Sequence, residues 1–279
     1  MKLLEVLACV VIVGSLGGCS TDGGSASGTI EGRASAPATS GVLLPPPNGV
    51  LDYQLGGAYP PAEDVVAVSR DRTDAPVPGL YNICYVNGFQ SQPGEADLWL
   101  DEHPSLVLRD GSGTPVVDPE WPDEFVLDIS TPDRRTELAA VVGPWIDGCA
   151  RDGFQAVEID NLDTFTRFPD RVREDDAVAM ARVLADRAHA DGLAIGQKNA
   201  AELLPLREES GLDFAVVEQC NEFDECDEFT STYGELVYVV EYDQRSFDRG
   251  CERFPQISIV LRDVDVSVPG TDTYLRRAC

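Results

Sequence analysis

The stretch Gly153 to Asp163, GFQAVEIDNLD, turns from apolar to acidic within a few residues. Phe154 to Ile159 suits a short strand buried on both faces. Glu158, Asp160, Asn161 and Asp163 then crowd its C-terminal end. Carboxylates are costly to bury, so a cluster of them at one strand end implies an open polar site. The pattern recurs along the chain. Tyr85, Asn87 and Gln90 close one apolar run and Asp128 lies at the end of the next. Further on come Gln197, Lys198 and Asn199, then Glu218 and Gln219, then Glu241 and Tyr242. Two carboxylates, one protonating a leaving oxygen and the other acting as nucleophile or base, perform glycoside hydrolysis, and amides and tyrosines bind sugar hydroxyls. Other chemistries lack their parts. There is no G-x-S-x-G elbow and no Gly-rich phosphate loop, and His103 and His189 stand far apart. No cysteine spacing fits zinc, and the Asp-rich loop lacks EF-hand spacing, so neither metal nor cofactor is expected.

The elements that must position these groups alternate. Strand-length apolar runs fall at 52–55, 65–68, 81–86, 125–129, 154–159, 193–196, 213–217 and 236–240. Between several of them lie helical patterns. Asp133 to Cys149 spaces Leu138, Val141, Val142 and Trp145 on one face behind Thr131-Pro132, a helix start signal. Asp175 to Ala190 repeats Val178, Ala181, Leu184 and Ala188, and Ala200 to Ser210 is shorter and stopped by Gly211. Strand and helix in alternation predict an α/β fold, a single-domain (β/α)8 TIM barrel whose C-terminal strand ends carry the site. The run Ile257 to Leu261 has no place in that count. Either it is the true eighth strand and an earlier one is not, or it is an appended element.

The N-terminus bears on compartment. Lys2 precedes a short apolar stretch that ends in Leu16-Gly17-Gly18-Cys19. This is a secretory signal, and it resembles the bacterial lipoprotein signal in which the cysteine is lipidated. The expected organisation is a signal peptide at 1–18, a lipidated N-terminus and flexible Ser/Gly/Pro tether at 19–49, and the barrel domain at 50–279. The protein is then extracellular, a monomer held to the cell membrane through Cys19. Export suits disulfides, and the pairs expected are Cys220 with Cys226, Cys84 with Cys149, and Cys251 with Cys279. The formal net charge of −28 argues against nucleic acid as a partner. Lys198 is the one lysine outside the signal, against 19 arginines, which points to a task an arginine could not do.

The motifs GFQAVEIDNLD, LAIGQKNA, DFAVVEQCNEFDEC and LVYVVEY, in that order, together resemble glycoside hydrolase family 114. Its members are endo-α-1,4-polygalactosaminidases and related barrel proteins, and the resemblance runs from DYQLGG at Asp52 to Tyr242. It implies a hydrolase of an α-linked amino-sugar polysaccharide, with Asp160 as nucleophile and Glu218 as acid/base. Tyr85, Asp128, Asn161, Asp163, Gln197, Lys198 and Glu241 would line the substrate cleft. The segment VNGFQSQPGEADLW, the insert from Pro93 to Trp121 and the tail beyond Tyr242 depart from the family pattern. The alternative is a carbohydrate-binding surface lipoprotein on the same barrel, without catalysis.

Overall fold

The computed structural model describes residues 41–279. The expected signal peptide, Cys19 and the tether up to residue 40 lie outside the described residues. Eight parallel strands pair in sequence order. They are β1 (Leu51–Gln54), β2 (Ala67–Asp71), β3 (Tyr81–Asn87), β4 (Ala156–Asp160), β5 (Ala194–Lys198), β6 (Phe214–Glu218), β7 (Val237–Glu241) and β8 (Ser258–Arg262). A ninth, β9 (Arg276–Ala278), runs antiparallel along β8. The helices are α1 (Pro132–Asp152), the short α2 (Thr164–Arg167), α3 (Glu174–Ala190), α4 (Arg207–Ser210), α5 (Cys226–Tyr233) and α6 (Gln244–Arg253). A 3-10 turn, Ala201–Leu206, leads into α4. Among the described residues no helix joins β1 to β2 or β2 to β3, so the ring of helices is incomplete on that side.

Ile257–Leu261 is thus the core of the true eighth strand, and Phe125–Ile129 is not a barrel strand. Val126 and Leu127 instead make antiparallel bridges with Gln90 and Val107, within the long connection from β3 to α1. That ribbon is apolar because it covers the barrel: Leu106, Val107, Val126, Leu127 and Ile129 are buried with Trp99 against α1.

Side chains alternate across each strand, and two apolar sets result. Val86, Val157, Ile159, Ile195, Val217, Val239 and Ile259 face the helices. Tyr53, Ile83, Ala156, Ala194, Phe214, Val216, Tyr238, Val240 and Val260 fill the interior. Gly196 must be glycine there, since a Cβ would come within 2.6 Å of the Phe214 ring. Helix α1 begins where the Thr131 hydroxyl accepts from the Arg134 amide, with Pro132 at its first position, and stops at Gly153 with φ 97°.

The last residues of the expected tether pack on the barrel. Residues 41–49 lie against the N-terminal end of the barrel, where Tyr81 Oη donates to Leu43 O at 2.6 Å and Tyr238 Oη to Pro46 O. Val42 packs on the interior cluster and Pro45 and Gly49 are buried. Tyr81 and Tyr238 stand at the starts of their strands, so this proline-rich segment closes the barrel floor.

At the seam, β1 and β8 are not joined by a ladder. The fully buried Asp52 of β1 faces Arg262 of β8 at 3.7 Å and Arg276 of β9 at 3.4 Å. Charge and the antiparallel strand therefore close what backbone pairing leaves open. Three disulfides, Cys84–Cys149, Cys220–Cys226 and Cys251–Cys279, tie strand to helix, staple the loop after β6 and fix the tail.

Candidate active site

Continuing the interior alternation past the apolar layers places Glu158, Asp160, Lys198, Glu218 and Tyr242 at or beyond the C-terminal ends of β4, β5, β6 and β7. Lys198 is the hub. Its Nζ lies 2.9 Å from Glu218 Oε2, 3.5 Å from Asp160 Oδ2 and 4.0 Å from Glu158 Oε1. The lysine side chain is 4% exposed, Asp160 18% and Glu218 24%, so the two upper acids meet solvent and the cation beneath them does not. Burial among three acids suits Lys198 to hold Asp160 ionised.

Each acid is held by neighbours that define its direction. Asp160 accepts from Tyr85 Oη at 2.6 Å and from the Asn161 amide at 2.7 Å. Glu218 accepts from Tyr242 Oη and from Asn199 Nδ2 at 3.4 Å, and its own amide donates to Asn199 Oδ1 at 2.8 Å. Glu158 is wholly buried and accepts from Tyr53 Oη and Ser69 Oγ, both at 2.8 Å.

Burial works to raise the Asp160 carboxyl, but Lys198, the Tyr85 hydroxyl, the Asn161 amide and Arg167 outweigh it and hold it below the ordinary range. Glu158 goes the other way. Burial pushes it up to about 7 despite Lys198 and its two hydroxyl donors. For Lys198 burial acts to lower the ammonium, yet Asp160, Glu218 and Glu158 raise it well above its usual value.

The turns that leave β4, β5 and β6 share one device. The residue after Asp160, Lys198 and Glu218 is left-handed in each case: Asn161 at φ 64°, Asn199 at 47° and Gln219 at 59°. Side chains other than glycine adopt this backbone at a cost, with asparagine the most tolerant. The chain therefore bends away directly above each charged group. Arg167 then holds the loop after β4, through Asn161 Oδ1 at 2.8 Å, Asp163 Oδ1 at 3.0 Å and an ion pair with buried Asp118.

The residues predicted for the cleft divide accordingly. Tyr85, Asn161, Asp163 and Lys198 join Asp160 and Glu218. Gln197 does not: it faces outward, donating to Asn199 O and Ala200 O and accepting from Tyr233 Oη of α5. Glu241 likewise faces outward, where its Oε1 accepts from the Asn221 amide and Nδ2. Both brace loops of the site from behind, because strand alternation turns them away from the interior. Asp128 belongs to the covering ribbon, and its Oδ1 accepts from the Ser130 amide and hydroxyl ahead of α1. Tyr242, Asn199 and Glu158 take the places that Glu241, Gln197 and Asp128 were expected to hold. Glu124 was missed altogether; it sits in irregular structure, and its Oε2 accepts from Gln90 Nε2 at 2.9 Å.

The fold and site define an α/β barrel with carboxylates gathered round one buried lysine at its mouth. The chain belongs to glycoside hydrolase family GH114, whose sequence profile matches residues 32–279. The chain is similar in fold to the Aspergillus fumigatus protein Ega3, solved in complex with galactosamine, with TM-score 0.66 and 19% identity over 85% of this chain and 97% of that one. The glycoside hydrolase domain of PelA from Pseudomonas aeruginosa is also similar, at TM-score 0.55 and 15% identity over 80% and 97% of the two chains. No curated protein matches the chain in sequence.

Proposed function

We propose that this glycoside hydrolase cleaves an α-linked amino-sugar polysaccharide by a retaining mechanism, with Asp160 as nucleophile and Glu218 as acid/base. The observation that carries the reading is a single ammonium, Lys198 Nζ, 3.5 Å from Asp160 and 2.9 Å from Glu218. The two carboxyl oxygens can be no farther apart than those distances combined. That bound admits the about 5–5.5 Å of a retaining pair. The depressed Asp160 carboxyl suits a group that must be ionised to attack the anomeric carbon. Glu218 gives its proton to the leaving oxygen as the Asp160–sugar bond forms. It then takes a proton from the water that releases the sugar from Asp160.

Family membership, a relative solved with galactosamine and a net charge of −28 favour a cationic polymer. Incubating the protein with α-1,4-linked galactosamine polymer and its N-acetylated form should release oligosaccharides detectable by mass spectrometry. Proton NMR should show the α-anomer first. First release of the β-anomer rejects retention. No product from any α-linked glycan rejects catalysis and leaves a glycan-binding barrel.

The lipid anchor rests on Leu16-Gly17-Gly18-Cys19 and supports an extracellular, membrane-held monomer. Cys19→Ala is expected to move the protein from the membrane to the soluble fraction. Unchanged fractionation rejects the anchor.

A further inference from the structure

We propose that Glu124, held beside Asp160 by Gln90 and Asn87, is a recognition subsite for the protonated amine of an amino-sugar unit. The proposal rests on the amino-sugar reading above and assigns that reading a residue.

Glu124 is nine-tenths buried in the covering ribbon. Its Oε2 accepts from Gln90 Nε2 at 2.9 Å and Asn87 Nδ2 at 3.4 Å, while its Oε1 carries no hydrogen bond among the described residues. Asn87 ends β3 and is the register partner of Asp160 on β4. Neighbouring strands lie about 4.8 Å apart, so the residue that holds Glu124 borders the strand end that carries Asp160.

The charges round Glu124 are wrong for an acid that serves only the fold. Buried carboxylates are normally paired with a cation. Glu124 has no salt-bridge partner among the described residues, and the charged groups that act on it most strongly are Asp160 and Asp118, both acids. Asp118 is spent on Arg167, and Lys198 on the acids below. Burial together with these acids pushes Glu124 up to about 7 against the two amide donors. A cation arriving from outside would restore the balance.

A second orphan lies on the same amide. Gln90 is 1% exposed, and its Oε1 is buried without a donor. The Glu124 carboxylate has one oxygen free and the Gln90 amide oxygen is unmet, so what the two groups lack is donors. An ammonium brings donors and a positive charge to Glu124. A calcium ion would need six to eight oxygens, about three times what these two groups supply. A neutral hydroxyl would not require a carboxylate, since an amide would hold it without the cost of a buried charge.

The test compares galactosamine with N-acetylgalactosamine, as monomers in calorimetric or NMR titration and as α-1,4-linked oligosaccharides in turnover. Wild-type protein should bind the free amine at least about tenfold more tightly, the scale of one charge-assisted contact. Glu124→Gln preserves shape and should lose that preference, both in binding and in the ratio of kcat/KM between the free-amine and N-acetylated oligosaccharides. Equal binding of the two monomers by wild type, or an amine preference that survives in Glu124→Gln, overturns the proposal. Amine-selective binding without any turnover keeps the subsite and rejects the hydrolase mechanism instead, so the two failures are distinguishable.

Discussion

Asp160→Asn and Glu218→Gln are each expected to lower kcat at least about a thousandfold, the scale of losing a nucleophile or a positioned proton donor. Both replacements preserve shape. Tyr85 and the Asn161 amide can still meet the side chain at 160, and Tyr242 and Asn199 the one at 218. Lys198 keeps Glu158 and one of the two upper acids in either variant, so melting temperature should move by a few degrees only. The informative comparison is therefore kcat against thermal unfolding of the same preparations. Turnover within about tenfold of wild type in either variant, with the fold intact, removes that residue from the reaction. A loss of turnover matched by a collapse in stability would instead mark a structural role.

The second large effect concerns Lys198→Met. Methionine fills much of the same space but leaves Glu158, Asp160 and Glu218 without their shared cation. Removing one partner of a buried ion pair costs about 3–5 kcal/mol. For a domain of this size that is a fall in Tm of about 6–20 °C. The loss should depend on pH, and Glu158 gives the sign. Its folded value of about 7 lies above the ordinary 4.5, so its contribution is complete below about 4.5 and is lost as pH rises through about 7. Without Lys198, which draws that value down, the window extends upward. Lys198→Met should thus be closest to wild type near pH 5 and furthest from it near pH 8. Adding Glu158→Gln should recover part of the loss at pH 8 and little at pH 5, because the acid it removes is already protonated there. Equal melting of Lys198→Met and wild type at pH 8 would show that the three acids do not need the cation.

The strand–helix rhythm and the catalytic candidates are legible because both are local. An apolar run followed by acids is visible at Ile159 and Asp160 without knowing what lies beside them. What went unread was the facing of each polar residue. Gln197 and Lys198 are neighbours with the same apparent claim on the cleft, and so are Glu241 and Tyr242. A strand sends alternate side chains to opposite faces, so only one of each pair can enter the barrel. The alternation was available in the sequence. Lys198 lies two residues from Gly196, which the ring of Phe214 requires to be small, and Tyr242 lies two from Val240 of the interior. Glu124 was beyond reach, since its partners Asn87 and Gln90 lie across an irregular ribbon. The apolar run at 125–129 misled for a related reason, as a buried cover reads like a buried strand. The eighth strand became evident only once Ser258–Arg262 was seen paired with β7.

The proline-rich floor has a bearing on how the enzyme meets its substrate. The described chain enters at residue 41 and packs against the strand starts, whereas Asp160, Lys198 and Glu218 open from the strand ends. Residues 41–49 thus brace the end of the barrel opposite the cleft and leave its mouth to the loops after β4, β5 and β6, so a polymer can reach the acids without meeting this segment.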